Sequence, residues 1–275
     1  MTFPPPAELA IGGFRWLEYL GLLVFIGVLV VRQLAGNPPR LAWAQLPMQR
    51  ALALALVGGV GVIVGRALAQ GTASAAAAYL LGSPKGWLVV VRVVAEGIAF
   101  GSCLTGVRFV VPPGLLACVL LPFGGHAVRV EPEFAGLAVD SLHVLSAGMW
   151  AGGIVALATL KPPGGWRAGE GRALLDRFAR VAPLAVAITA LTGVLRATEE
   201  LTAVTDLWTT SYGVVLSVKS LGVMVMLALS WLAWRRGLPV AQLEGAIAFV
   251  VIAATALLAA YPLTPGEAAR FVGLL

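Results

Sequence analysis

The stretch VDSLHVLSAGMWAGGIVALATL, residues 139–160, is apolar enough to form a membrane-spanning helix. A span needs about 20 mostly apolar residues, and this run supplies 22. Its first turn nevertheless carries a histidine, His143, and the only other histidine of the chain, His126, lies just upstream. Ionisable side chains are costly within a membrane, so a histidine at this position predicts a functional site.

The composition of the whole chain favours a protein with several such spans. Hydrophobic residues make up 59% of the 275 residues, and charged residues only 12%. A soluble domain cannot bury so much apolar surface, whereas a multi-pass protein exposes it to membrane lipid. We therefore expect an all-α integral membrane protein with eight transmembrane helices. The apolar runs lie near residues 12–31, 50–70, 87–106, 110–125, 139–160, 181–198, 213–234 and 243–262.

The basic residues between these runs predict the orientation of the chain. The loops after the first, third, fifth and seventh runs hold 11 Lys and Arg residues, whereas the alternate loops and the tail hold only Lys85, Arg129 and Arg270. Basic loops stay on the cytoplasmic side, so both termini are predicted to be extracytoplasmic. The net charge of +6 thus reflects loop arginines, and we expect no nucleic-acid partner.

Two segments of the first half resemble two segments of the second. LEYLGLLVFIGV at 17–28 aligns with LHVLSAGMWAGG at 142–153, and SPKGWLVVVR at 83–92 aligns with TSYGVVLSVK at 210–219. The offsets, 125 and 127 residues, are almost the same. The aligned pairs include Leu17 with Leu142, Leu20 with Leu145, Phe25 with Trp150, Gly27 with Gly152, Gly86 with Gly213 and Arg92 with Lys219.

One internal duplication would explain both similarities. It predicts two halves, residues 1–128 with helices 1–4 and residues 129–275 with helices 5–8. The halves would have parallel orientation, because four helices return the chain to the same side. Glu18 then occupies in the first half the place that His143 occupies in the second. Sites in duplicated membrane folds tend to lie where the repeats meet.

Several further ionisable residues fall inside the apolar runs. They are Glu18, Arg66, Arg92, Glu96, Arg196, Lys219 and Glu244. Arg66 and Arg196 lie near helix ends, where a long side chain can reach the surface. Arg92 and Glu96 are four residues apart and can neutralise each other on one helix. Glu18 lies deeper and has no such explanation, so it is a candidate for the site.

His126 and His143 are the candidate metal ligands. They end one predicted helix and begin the next, so a short loop brings both to the outer face. Neutral imidazole suits copper, zinc, haem iron and proton relay alike, and chemistry alone leaves these open. Trp150 shares a helix face with His143 and would line the site. Glu18 would complete it from the other half, and the soft sulfur atoms of Cys118 and Met149 could pass Cu(I) inward.

The motifs around these histidines resemble those of the CopD (PcoD) copper-resistance family, which includes the membrane part of YcnJ-type proteins. The similar segments are GHA at 125–127, DSLHVLSAGMWAGG at 140–153, DRFARVAPLAVAITALTGVLRA at 176–197, TTSYGVVLSVKSLGVMVML at 209–227 and LEGAIAFVVIAATALLAAYP at 243–262. Ala179 stands where the family usually has serine. The resemblance covers residues 125–262 and is weaker over the first four helices.

The resemblance implies eight spans in the cytoplasmic membrane and the movement of copper across it. It carries His126, His143 and Trp150 over as motif positions. A periplasmic copper-binding protein could be a partner, although the N-terminal segment lacks the Met- and His-rich copper-collecting stretches of some relatives. We expect no enzymatic activity. Two alternatives stay open. Both histidines could be axial ligands of haem b, with Arg66, Arg92 or Arg196 holding its propionates. The protein could also bind copper for assembly or sensing without transporting it.

Overall fold

A computed structural model describes residues 3–107, 109–124, 133–236, 240–261 and 264–266, and every regular element within them is helical. The helices are α1 (Pro6–Gly36), α2 (Gln49–Ala69), α3 (Ala73–Gly82), α4 (Pro84–Leu104), α5 (Val111–Leu120), α6 (Glu133–Ala147), α7 (Gly153–Ala158), α8 (Gly169–Glu200), α9 (Asp206–Thr209), α10 (Ser211–Arg236) and α11 (Ala241–Leu258). Short 3₁₀ turns cover Ala42–Ala44 and Leu121–Gly124, and a π-helical turn, Gly148–Gly152, joins α6 to α7.

Six helical segments are long and apolar enough to cross a membrane, so the described residues form a multi-pass membrane protein. They are Pro6–Gly36, Ala42–Ala69, Pro84–Leu104, Ala135–Ala158, Gly169–Glu200 and Ser211–Arg235. The predicted fourth and eighth spans correspond to shorter apolar helices, Val111–Phe123 and Gln242–Leu258. The fourth is short because Pro122 ends its α-helical part, as a proline lacks the backbone N–H that continues a helix.

Two helices stand between the predicted spans. α3 lies between the second and third spans and α9 between the sixth and seventh, and neither was expected from the apolar runs. The Thr72 hydroxyl caps α3 by accepting a hydrogen bond from the Ala75 N–H, 3.2 Å away. Such caps satisfy N–H groups that the first turn of a helix leaves without partners.

Helix α1 lies at the centre of the bundle and contacts α2, α5, α6, α7, α8 and α11. Its closest approach is to the π-helical turn. A Cβ atom on Gly27 would overlap the backbone of Gly152, and one on Gly152 would overlap the carbonyl of Leu23. Backbones can approach this closely only where side chains are absent, and small residues promote this packing in membranes. The two glycines that the duplication aligns are therefore in direct contact.

The bundle has two chemically different ends. At the end where α1 finishes, which we call the basic end, Arg32 donates to the Leu46 carbonyl over 3.2 Å, and the rings of Trp43 and Trp166 meet edge to face. Arg177 is buried at this end. At the opposite end, which we call the N-terminal end, Glu8 pairs with Arg66 over 2.6 Å.

Arg177 closes the basic end by binding the last turn of α1. Its guanidinium donates to the carbonyl oxygens of Leu34, Asn37, Pro38 and Pro39 at 2.8 to 3.3 Å. These acceptors include carbonyls that the end of a helix leaves unpaired, and a cation there also offsets the helix dipole. Arg177 thus ties the first half of the chain to α8 in the second.

Candidate functional site

Polar side chains form three successive rows between α6 and α8, starting at the N-terminal end. In the outermost row, Asp140 pairs with Arg196 over 2.8 Å. In the second row, His143 meets Thr192, and in the third Ser146 meets Thr189. The nitrogen Nδ1 of His143 is 2.9 Å from Oγ1 of Thr192, and the Oγ atoms of Ser146 and Thr189 are 2.8 Å apart.

The spacing of these residues explains the rows. Positions 140, 143 and 146 recur every three residues along α6, and positions 189, 192 and 196 recur every three or four along α8. Both spacings place side chains on one helix face, and the two helices run antiparallel. An otherwise apolar interface therefore contains one continuous polar seam, which we call the α6–α8 polar seam.

The hydrogen bonds of Thr192 decide the tautomer of His143. The Thr192 hydroxyl lies 2.7 Å from the Ile188 carbonyl and 3.1 Å from that of Thr189, and its single proton is used by one of these acceptors. With the hydroxyl proton on one of these carbonyls, Thr192 accepts a hydrogen bond from Nδ1–H of His143. This assignment follows from the hydrogen-bond network. It leaves the Nε2 lone pair of a neutral imidazole available to a metal ion.

Carboxylates outnumber cations around the outer row. Arg196 is bound by Glu199 over 2.9 Å and by Glu200 over 3.2 Å, in addition to Asp140. Only 11% of its side chain is exposed. Lys219 of α10 adds a second positive charge within electrostatic reach of His143 and Asp140. Three carboxylates thus surround Arg196 in the outer row, whereas the charged groups that act most directly on His143 are the two cations, Arg196 and Lys219.

The loop that joins α8 to α10 is held by Asp206 outside the membrane spans. Its carboxylate accepts hydrogen bonds from the Thr202 N–H and hydroxyl and from the Ala203 N–H, at 2.6 to 3.0 Å. These bonds lower the pKa of Asp206, because they stabilise the charged form. The loop is therefore anchored at neutral pH, where it positions the start of α10 and, further along that helix, Lys219.

The second predicted ligand, His126, lies outside the described residues, so the expected pair stays a prediction. Within the described part of the chain, no group of three or more His, Cys, Asp or Glu residues is arranged to hold a metal ion. The role of His143 as a metal ligand likewise stays a prediction.

The other expected lining residues lie in hydrophobic clusters. Trp150 is buried and shares its cluster with Ala185 of α8, which lies below the polar seam. Cys118 is buried, with Sγ 3.9 Å from the Leu22 carbonyl, and Met149 packs against the same cluster. Met48 and Cys103 also pack there, so four sulfur-containing side chains surround one apolar region. Such atoms are the ligands that Cu(I) prefers.

A second polar cluster lies in the first half of the chain and corrects one expectation. Arg92 does not form the ion pair with Glu96 on its own helix; its Nε donates instead to Oε1 of Glu18 on α1, over 2.8 Å. Glu18 is fully buried in this ion pair. Arg66 and Arg196 lie near helix ends as expected, and both are paired with carboxylates.

Sequence reasoning missed several polar residues that shape the site. Ser146, Thr189 and Thr192 are uncharged, so they were not considered as intramembrane polar positions. The signal in the sequence is their spacing: Ser146 follows His143 by three residues on α6, and Thr189 and Thr192 are three residues apart on α8. Arg177 was counted only among the basic loop residues, and nothing in its local sequence indicates that it would bind the end of a distant helix.

Comparison with known proteins identifies a family over the last third of the chain. Residues 172–260 match the family model CopD, described as copper resistance protein D. The copper transport protein CutJ of Bacillus subtilis (strain 168) is 35% identical over 101 residues, which is 36% of this chain and 18% of that relative. The aligned part is thus a small fraction of CutJ. No solved structure matches the chain.

The matched segment includes part of the polar seam. Thr189, Thr192, Arg196 and Lys219 fall within residues 172–260, whereas His143 precedes them. The residues that surround His143 from α8 and α10 are therefore part of the family segment. Over residues 172–260 the chain is similar to the CopD copper-resistance family, and the resemblance inferred from its motifs is confirmed there.

Proposed function

We propose that the protein moves copper ions across the cytoplasmic membrane and binds them at the N-terminal end of the bundle through His126 and His143. The observation that carries this proposal is the hydrogen bond between His143 and Thr192. Thr192 belongs to the segment that matches the copper-resistance family, and it orients the imidazole so that Nε2 can bind a metal ion.

Charge around the seam supports a cation as cargo. The three carboxylates that surround Arg196 outnumber the two cations in the outer row, so this end of the seam attracts cations from solution. Lys219 opposes this attraction, and it would weaken binding enough for the ion to leave again. Transport requires such an intermediate affinity.

The inward path proposed for copper passes the sulfur atoms of Met149 and Cys118. Both pack on the apolar region that Met48 and Cys103 also border. Trp150, packed with Ala185 below the polar seam, would keep water out of the space beneath His143. A dry region favours soft sulfur ligands, so it suits Cu(I) rather than hydrated divalent ions.

The haem alternative gains no support from the arginines that would have to hold the propionates. Arg66 pairs with Glu8, Arg92 with Glu18, and Arg196 with three carboxylates. A propionate would have to displace one of these partners. We therefore propose copper as the cargo, without an enzymatic reaction.

The experiment compares the purified wild type with His126→Ala and His143→Ala. Copper affinity is measured by competition with a chromophoric chelator, and copper flux is measured in proteoliposomes. Both variants should lose high-affinity binding and flux while keeping the wild-type elution profile. Thr198→Ala is the control, because Thr198 is exposed near the same end of α8.

Each other outcome has a defined meaning. Unchanged affinity in both histidine variants would remove the histidines from the mechanism. Copper binding without flux would favour the assembly or sensing alternative. A Soret absorption band in the purified protein would favour haem b.

A further inference from the structure

The first half of the chain holds a buried carboxyl pair that the proposed copper site does not use. The side chains of Glu18 and Glu96 are both 0% exposed, and Arg92 between them is 4% exposed. Arg92 Nε binds Oε1 of Glu18 over 2.8 Å and Nη1 lies 3.4 Å from the Leu121 carbonyl. The guanidinium thus hydrogen-bonds to Glu18 and not to Glu96.

Three carboxylate oxygens of this pair have no hydrogen-bond partner among the described residues. They are Oε2 of Glu18 and both side-chain oxygens of Glu96. Gly59 of α2 makes the space for them, because a Cβ atom there would overlap Oε2 of Glu96 and lie 3.1 Å from Oε1 of Glu18. The two carboxyl groups therefore face each other beside Gly59, close enough to share a hydrogen bond.

The charge balance of this arrangement calls for one more positive charge. Within hydrogen-bond contact the pair has one guanidinium for two carboxylates, and Glu96 has no partner of its own in a region that excludes solvent. A buried unpaired carboxylate costs several kcal/mol, roughly the penalty of a buried ion. One proton on Glu96 removes this charge and turns its carboxyl group into a donor, which can then bind Glu18.

A metal ion fits the same place poorly. The guanidinium of Arg92 already occupies Oε1 of Glu18 and would repel a cation. The adjoining cavity is about 20 Å³, which admits one water molecule and no hydrated ion. No described set of three His, Cys, Asp or Glu ligands exists there.

The same cavity offers a route for protons. It is lined by Glu18, Arg92, Tyr19, Tyr79, Arg15 and Arg66. The side chain of Arg66 is 24% exposed at the N-terminal end, so the lining extends from the carboxyl pair towards the surface. One water molecule and the two tyrosine hydroxyls can relay a proton along it.

The ionisable groups that face the pair come from six helices. They are Arg15 and Tyr19 on α1, Arg66 on α2, Tyr79 on α3, Arg92 on α4, Cys118 on α5 and Asp140 on α6. Glu8 neutralises Arg66, and the Arg15 guanidinium donates to the Ala259 carbonyl. Arg15 adds a positive charge to the cavity, but neither it nor any other of these groups hydrogen-bonds to Glu96, whose two oxygens have no partner among the described residues.

We propose that Glu18 and Glu96 form a proton-binding site, and that its proton is exchanged with bulk water during the transport cycle. The second part rests on the copper transport proposed above. A proton from water binds a carboxylate oxygen of Glu96 and later returns to water, so no oxidant or other reactant is needed.

The first test is infrared spectroscopy of the copper-free protein in detergent at neutral pH. The wild type should show the carbonyl band of a protonated carboxyl group, and Glu96→Gln should lose it. Glu96→Gln preserves the side-chain shape and leaves the Arg92–Glu18 pair in place, so the variant should fold. Glu8→Gln is the control and should keep the band, because Glu8 is a partly exposed carboxylate paired with Arg66.

Two results would overturn the proton site. One is a wild-type spectrum without the band. The other is a band that grows when choline replaces sodium in the buffer, because a sodium ion would then occupy the pair.

The second test measures copper uptake into proteoliposomes with and without a pH gradient. Wild-type copper uptake should change with the pH gradient. Glu96→Gln should bind copper with wild-type affinity, and its uptake should not depend on the pH gradient. Equal gradient dependence in both proteins would overturn the exchange. Failure of the wild type to transport copper at all would overturn the proposed function instead, and the infrared result would stand by itself.

Discussion

At the scale of single residues, Thr192 decides what His143 can do. A lone histidine on an apolar helix can point either ring nitrogen at a ligand. The Thr192 hydroxyl donates to its own helix and accepts from Nδ1–H, so only Nε2 faces a ligand. Outer groups that orient a metal-binding histidine contribute to affinity without touching the metal.

Thr192→Val should therefore weaken copper binding without removing it. Valine keeps the shape of threonine but cannot accept from Nδ1–H, so the imidazole loses its orientation, and affinity should fall by about 10- to 100-fold. Thr198→Val is the matched control, since Thr198 lies on the same helix and its hydroxyl bonds only to the Leu195 carbonyl. Competition titration of both variants checks this, and equal affinities would show that Thr192 has no part in binding.

At the scale of helices, the contact between α1 and the π-helical turn organises the bundle. The π-helical turn widens the path of the backbone at Gly148–Gly152, and such turns are frequent at functional sites. The turn follows the polar seam on α6, contains the buried Trp150 and leads into the apolar α7. Gly27 and Gly152 permit the close approach that seats this turn against α1.

Gly27→Ala should destabilise the protein strongly. The added Cβ would overlap the Gly152 backbone, which cannot yield as a flexible side chain would, and overpacking typically costs about 1–3 kcal/mol or more. Gly13→Ala on the same helix is the control, because its Cβ would meet nothing within 4 Å. Thermal unfolding in detergent should show a lower midpoint for Gly27→Ala alone. Similar midpoints for the two variants would mean that the helices can separate freely at this point.

At the scale of the whole molecule, the two halves contain matching local structures. Ser83 Oγ accepts from the Gly86 N–H and donates to the Tyr79 carbonyl, and Thr210 Oγ1 does the same with Gly213 and Asp206. Each pair of equivalents is 127 residues apart. The Glu18–Arg92 pair likewise corresponds to the neighbouring His143 and Lys219. These matches support the division into residues 1–128 and 129–275, which we propose as a duplication.

The duplication predicts how an experimental structure will superpose. The first four spans should superpose on the last four by rotation about an axis along the membrane normal. This rotation should place Glu18 on His143 and Gly27 on Gly152. The contact between Gly27 and Gly152 is expected if this axis passes between them. Halves that superpose only after inversion, or that do not superpose, would contradict the duplication.

The orientation of the chain also belongs to this scale. A cysteine placed near Arg270, in a variant without Cys103 and Cys118, should react with an impermeant reagent in intact cells, because positive loops remain cytoplasmic. A cysteine at the exposed Arg167, at the basic end, should react only after lysis. The reverse pattern would invert the proposed topology, which places both termini outside.

The sequence by itself determined the helical class, the membrane setting and the family resemblance. Apolar runs long enough to cross a bilayer are expected to be helices, because backbone groups in lipid must be hydrogen-bonded within the segment. The histidine within an apolar run also predicted a functional site at His143. Of the eight predicted spans, six are helices long enough to cross a membrane in the described structure. The fourth, which Pro122 shortens, and the eighth are shorter apolar helices.

Only the tertiary structure decided the partners of the polar residues. Helical spacing suggested that Arg92 would pair with Glu96, four residues away, yet it pairs with Glu18, 74 residues away. Likewise, Thr192 orients His143 from 49 residues away, and Arg177 reaches the end of α1. Local spacing defines which faces are polar, but the partner of a buried charge depends on which helices meet. That depends on close backbone contacts such as Gly27 with Gly152, which no periodicity along one helix encodes.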